Sequence, residues 1–148
     1  MYRKILIATD GSELASKAVD HGVMLAKKFE ASVIFVTVTE IWSAVEMMAD
    51  SARGISNSVE KYEEMAAKSA QNVLAATKAV AHGAGIECET LHVRDRVPAE
   101  GIIAIANEKG CDLIVMASHG RRGLNRLMLG SQTAEVQVNS KVPMLVLR

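Results

Sequence analysis

Two rhythms of apolar positions alternate along this chain. Ile5-Leu6-Ile7-Ala8 is a continuous apolar run, as a strand covered on both faces needs, and it predicts a first strand over Lys4–Thr9. The run stops at Asp10-Gly11-Ser12, where Ser12 is a good helix N-cap and Glu13 places negative charge in the first turn. A helix to about Phe29 follows: Leu14, Ala18, Gly22, Leu25 and Phe29 form one stripe, and Ala15, Val19 and Ala26 widen it. The β-branched stretch Ser32–Thr39 predicts a second strand. Glu40–Asn57, with the single Trp42 and a break at Gly54, shows no clear period. It reads as a short helix or a mobile lid over the strand ends, with a mobile loop as the expectation carried forward. Helical spacing returns over Ser58 to about Gly83, where Tyr62, Met65, Ala66, Ser69, Val73, Ala76 and Val80 suggest close packing on a sheet.

Ile86–Val93 alternates polar and apolar residues, the pattern of an edge or partly solvated third strand. Pro98 opens a helix through Ile102, Ile103 and Ala106, closed by Gly110. Asp112–Ala117 is a fourth, buried strand, and Val142–Leu147 a fifth. Between them Ala134-Glu135-Val136-Gln137-Val138 alternates with period two, yet a parallel crossover must lie there, so a helix is expected. The order β-α-β-α-β-α-β-α-β predicts an α/β fold: a five-stranded parallel sheet, order 3-2-1-4-5, with helices on both faces, in one domain over residues 1–148. Pro143 and the final position suit an edge strand, and Val142–Leu147 has no charge until Arg148. A homodimer paired through this strand is expected.

Composition narrows the function classes. Lys+Arg and Asp+Glu both number 17, which removes the electrostatic footprint of a general nucleic-acid binder. Aromatics make up 3% of the chain, so the core is aliphatic. Cys88 and Cys111 form no CxxC pair and read as reduced, packed thiols, and the four histidines lack metal-ligand spacing. No apolar run approaches the ~20 residues of a membrane span. With Met1-Tyr2-Arg3-Lys4 running directly into a strand, a cytoplasmic domain is expected.

In such sheets ligands bind beyond the carboxyl ends of the strands, where strand order reverses. That point puts Thr9, Asp10, Gly11 and Ser12 opposite Ala117–Gly120. Two roles are open to Asp10, bonding a ribose hydroxyl or base amine and capping the first helix. Val38 can offer its backbone to an adenine edge. The stretch Ser118-His119-Gly120-Arg121-Arg122-Gly123, followed by Gly130-Ser131 before a helix, suits a polyphosphate cradle or, more blandly, a basic surface loop. Neither GxGxxG nor GxxxxGK[ST] is present, and Asp10 lacks the neighbouring acid of a phosphoacceptor domain. Ser118 and His119 have no third residue to orient the ring, and as sequence neighbours they are expected to point apart, which argues against a hydrolytic triad.

These residues resemble the universal stress protein family, in its nucleotide-binding form, over the whole chain. Its ATP-binding members carry Gly-x2-Gly-x9-Gly-Ser/Thr. Here Gly120, nine residues and Gly130-Ser131 match the latter part, while Ala117 stands where the first glycine would be. The resemblance implies an adenine-nucleotide alpha-hydrolase-like, Rossmann-like sandwich. It implies ATP, ADP or AMP with Mg²⁺ or Mn²⁺ riding on the phosphates. Ala8, Thr9, Asp10 and Val38 would serve the adenosine moiety, with Met116 and Ala117 lining it. Gly120, Gly130, Ser131, Gln132 and Thr133 would hold ribose and phosphates, and Arg121 and Arg122 are added on charge. No placed base and transition-state lysine stand out, so a nucleotide-responsive homodimeric switch is expected, not a fast ATPase. The alternatives are a non-nucleotide dimeric adaptor and a slow ATP hydrolase or phosphotransferase assisted by Asp10 or His119. The expectation includes no nucleic acid and no membrane partner.

Overall fold

The computed structural model describes residues 1–40, 44–55, 58–120 and 129–148. Its elements are β1 (Lys4–Ala8), α1 (Glu13–Phe29), β2 (Ser32–Val38), α2 (Ala44–Ala52), α3 (Ser58–Gly83), β3 (Cys88–Val93), α4 (Pro98–Glu108), β4 (Leu113–Ala117), α5 (Ser131–Asn139) and β5 (Met144–Leu147). The strands form one parallel sheet in the order β3-β2-β1-β4-β5, as the alternation of elements predicts.

Continuous apolar runs fill both faces of the central strands. Ile5, Ile7, Val33, Phe35 and Val115 face α1 and α3, while Leu6, Ile34, Val36, Ile114 and Met116 meet α4 and α5. Each run therefore divides by parity into two cores, which is why no polar alternation marks β1, β2 or β4. At the amino end of the sheet Asp112 accepts from Arg3 N (2.8 Å) and Lys4 N (3.1 Å), holding the start of β1 beside that of β4.

Several boundaries differ from the sequence expectation for local reasons. β3 begins at Cys88, because Ile86 N donates to Ala81 O and finishes the end of α3. β5 begins at Met144, since Val142 N turns back onto Ser140 Oγ (3.0 Å). The stretch carried as a mobile loop contains α2 over Ala44–Ala52. Residues 134–138 are helical despite their period-two pattern: Val136 is fully buried while Val138 is 80% exposed.

Candidate functional site

The reversal of strand order falls between β1 and β4, and a cavity of about 840 Å³ opens there at the carboxyl ends of the strands. β1 and its turn contribute Ala8, Thr9 and Asp10, β2 contributes Val38, and β4 contributes Met116 and Ala117. Gly120, Gly130, Ser131, Gln132 and Thr133 line the same space, so eleven of the thirteen residues singled out from sequence meet in one cavity. Arg121 and Arg122 lie outside the described residues.

The walls are built by backbone and short polar side chains. Thr37 Oγ1 donates to Thr9 O (2.7 Å), tying the end of β2 to that of β1. Asp10 Oδ1 accepts from Ser12 N (2.9 Å), and Ser12 Oγ accepts from Ala15 N (3.2 Å), so the acid organises the entry into α1. Its other oxygen faces Gly120, where an added Cβ would lie 2.5 Å from Asp10 Oδ2. Gly130 is held more firmly, because it meets backbone. Its N–H donates to Ser118 O (2.7 Å), and a Cβ on it would lie 2.9 Å from that same oxygen and 3.1 Å from His119 Cα. At Gly130 a side chain would collide with backbone, while at Gly120 it would displace the Asp10 carboxylate. Thr133 Oγ1 donates to Ala117 O (2.9 Å), closing the start of α5 onto the end of β4.

The first backbone bond within α5 runs from Ala134 N to Gly130 O. The N–H groups of Ser131, Gln132 and Thr133 therefore precede any i→i−4 acceptor, and these residues line the cavity at the positive end of the helix. Gln132 has a second use: its Oε1 accepts from Ala99 N (2.9 Å), in the first turn of α4. α4 has Val97 as N-cap, with no side-chain cap of its own, so α5 supplies the missing acceptor.

One sequence expectation is corrected here. Ser118 and His119 do not point apart: Ser118 Oγ and His119 Nδ1 are 3.0 Å from each other. Strand pleating ends at Ala117, so the alternation of sides no longer applies to the next two residues. No carboxylate is hydrogen-bonded to the ring among the described residues, and a triad is not assembled there.

Sequence reasoning missed one wall. Tyr62, Ala66, Ser69, Ala70 and Val73 of α3 face the cavity, as do Pro98 and Ile102 of α4. The small residues of α3 looked like sheet packing, but Ala66 and Ser69 line the cavity and Ala76 is exposed; the helix meets the sheet one position further round, through Leu74 and Ala81. The 26-residue helix, however, extends roughly 39 Å at 1.5 Å per residue, while seven-residue β2 covers only about 23 Å. The helix must overhang the strand ends, and that length mismatch was visible in the sequence. Tyr62 Oη donates to Glu40 O (3.1 Å), fixing the overhanging end to the segment after β2.

The two thiols stand apart from this chemistry. Burial pushes Cys111 up to about 11 and also raises Cys88, so both are protonated packing groups near neutrality.

Comparison with known proteins agrees with the fold. The sequence profile described as "Universal stress protein family" matches residues 1–148. Universal stress protein MJ0531 of Methanocaldococcus jannaschii is 34% identical over 148 residues, covering 100% of this chain and 83% of that protein. The solved structure of MJ0577 from the same organism superposes with a TM-score of 0.78 at 30% identity, covering 99% of this chain and 96% of that one. A universal stress protein solved in complex with cAMP superposes with a TM-score of 0.74 at 24% identity, covering 99% and 97% of the two chains. With the profile match spanning the full chain, this protein belongs to the universal stress protein family.

Proposed function

We propose that this protein is a regulatory adenine-nucleotide binder, a homodimeric switch that holds ATP, ADP or AMP in the crevice between β1 and β4. The observation that carries the proposal is the meeting of Gly120 and Gly130 in one cavity, each against the facing wall, beside the first amides of α5. A nucleotide needs that combination of close backbone approach and unpaired N–H groups for its phosphates. Thr9, Asp10 and Val38 would take the adenosine end, with Met116 and Ala117 beneath it. Gly120, Gly130, Ser131 and Thr133 would take ribose and phosphates, and Gln132 would offer its amide NH₂ while its oxygen stays on α4. That the same fold holds cAMP in a solved relative supports a nucleotide of this class.

Among the described residues no group of three or more His, Cys, Asp or Glu could hold a metal ion. Mg²⁺ or Mn²⁺ would therefore be carried by the phosphate oxygens, where it neutralises their charge. No placed base and transition-state lysine stand out in the sequence, so fast phosphoryl transfer is not expected. A slow phosphohydrolase is the second reading, favoured by the His119 ring that Ser118 holds at the cavity wall. Loss of phosphate release in His119→Ala would select it.

The dimer would form through β5, which occupies one edge of the sheet and carries Met144, Leu145, Val146 and Leu147, all only half-buried. Native mass spectrometry of freshly purified protein tests nucleotide and dimer together. The expected spectrum shows twice the chain mass with adenine nucleotide attached. A dimer that takes up no added MgATP would replace this reading with the adaptor.

A further inference from the structure

A second cleft, of about 510 Å³, lies between α3 and the edge strand β3, away from the nucleotide crevice. Two periodicities build it. Thr90, His92 and Arg94 follow one another at every second position, so they share one side of the strand and its extension. Opposite them Ala67, Gln71, Leu74, Ala75 and Lys78 fall on one stripe of the helix. The walls thus carry two fixed cations, an imidazole, an amide and a hydroxyl, with no carboxylate among the lining residues.

These groups are not spent on one another. Neither Lys78 nor Arg94 has an ion-pair partner among the described residues, and Gln71 and Thr90 make no side-chain hydrogen bond there. Glu89, the acid nearest in sequence to Thr90, points to the other side of the strand and pairs with Lys109 at 2.7 Å. His92 Nε2 is 2.9 Å from Thr39 Oγ1, which fixes the ring at the cleft wall. Burial and the neighbouring Arg94 both lower the pKa of His92, with Asp95 opposing. In a chain whose formal charges sum to zero, this is a local excess of positive charge around a concave surface.

The geometry points to a second ligand site: the α3–β3 cleft binds a small phosphorylated molecule, with Arg94 and Lys78 on its phosphate and Thr90, Gln71 and His92 completing the hydrogen bonds. Arg presents a planar fork to phosphate oxygens and Lys a point charge, so the pair suits a phosphoryl group better than a neutral ligand. The volume has room for a sugar-phosphate-sized molecule. Thr39 also lines the nucleotide crevice, so its bond to His92 forms part of the wall between the two sites.

The test is a titration of ¹⁵N-labelled full-length protein with sodium pyrophosphate, repeated with sodium chloride at matched ionic strength. It uses wild type, Gly130→Asp, and the double variant Lys78→Ala/Arg94→Ala. Saturable shifts are expected in the amides of Thr90–Arg94 and Gln71–Lys78. They should persist in Gly130→Asp and weaken at least tenfold in the double variant, whose exposed positions leave the remaining amide spectrum unchanged. Because the read-out amides lie in the second cleft and Gly130→Asp closes the first, failure here is distinct from failure of nucleotide binding. Shifts that chloride reproduces, that grow without saturating, or that survive the double variant overturn the site. The absence of shifts in these amides with pyrophosphate overturns it equally.

Discussion

Gln132 spans two helices, and removing its side chain should therefore weaken a helix to which it does not belong. In Gln132→Ala the N–H of Ala99 loses its acceptor, and Ala99 is fully buried. Loss of a side-chain cap costs about 1 kcal/mol, and an orphaned buried donor costs about 1–3 kcal/mol. Because the cavity lets water reach the start of α4, the lower half applies, about 1–2 kcal/mol. With a urea m-value of about 2 kcal/mol/M, the unfolding midpoint should fall by roughly 0.5–1 M. Gln132→Glu is the control. Its carboxylate keeps an acceptor near Ala99 and places negative charge at the positive end of α4, so most of the stability should return. Both variants are compared with wild type by equilibrium unfolding without nucleotide. If alanine leaves the midpoint unchanged, or glutamate is as damaging as alanine, the bridge from α5 to α4 contributes nothing.

Other consequences follow from the same geometry. Thr133→Val removes a buried hydroxyl and leaves Ala117 O short of a donor, so thermal unfolding should shift down by several degrees, equivalent to about 1–3 kcal/mol. Ala117→Gly should change MgATP affinity by less than about threefold in calorimetry while costing about 0.5–1 kcal/mol, because glycine weakens a buried strand end and the cavity is already open there. Val146→Pro should give a monomer in sedimentation velocity. Ile114 N and Ser118 N bond to Pro143 O and Leu147 O, so the two-residue repeat of the ladder turns Val146 N towards the free edge, and proline removes a donor β4 does not use. The raised pKa of Cys111 also predicts a pH effect. A thiol protonated in the native state up to about 11 but ionising near 9 when unfolded contributes stability that is complete below pH 9 and lost between 9 and 11. Cys111→Ala should flatten that alkaline decline in a series of unfolding curves.

Much of the fold was legible because the chain's local signals agree with one another. The continuous runs at Ile5–Ala8 and Leu113–Ala117 could only be strands covered on both faces, and Ser12, Pro98 and Gly110 mark helix ends. Residues 134–138 were legible only through topology, since their alternation favours a strand and the need for a crossover overrides it. The floor of the site was equally visible, because turn residues after β1 and β4 must meet wherever strand order reverses. Its roof was not. Tyr62 and Ser69 sit at ordinary helical spacing, and only the excess length of α3 over β2 brings them to the cavity. Side-chain bridges such as Gln132 to Ala99 and Thr39 to His92 join residues 33 and 53 positions apart, and no local pattern announces them.

The central claim, that the crevice between β1 and β4 holds an adenine nucleotide against Gly120 and Gly130, is tested most directly by isothermal titration calorimetry. MgATP is titrated to millimolar concentration into nucleotide-free wild type and into Gly130→Asp, which adds bulk 2.9 Å from Ser118 O and a negative charge beside the amides of α5. A saturable heat with wild type, absent from the variant while its circular dichroism is unchanged, is the predicted result. No heat with wild type, or equal binding by both proteins, would contradict it.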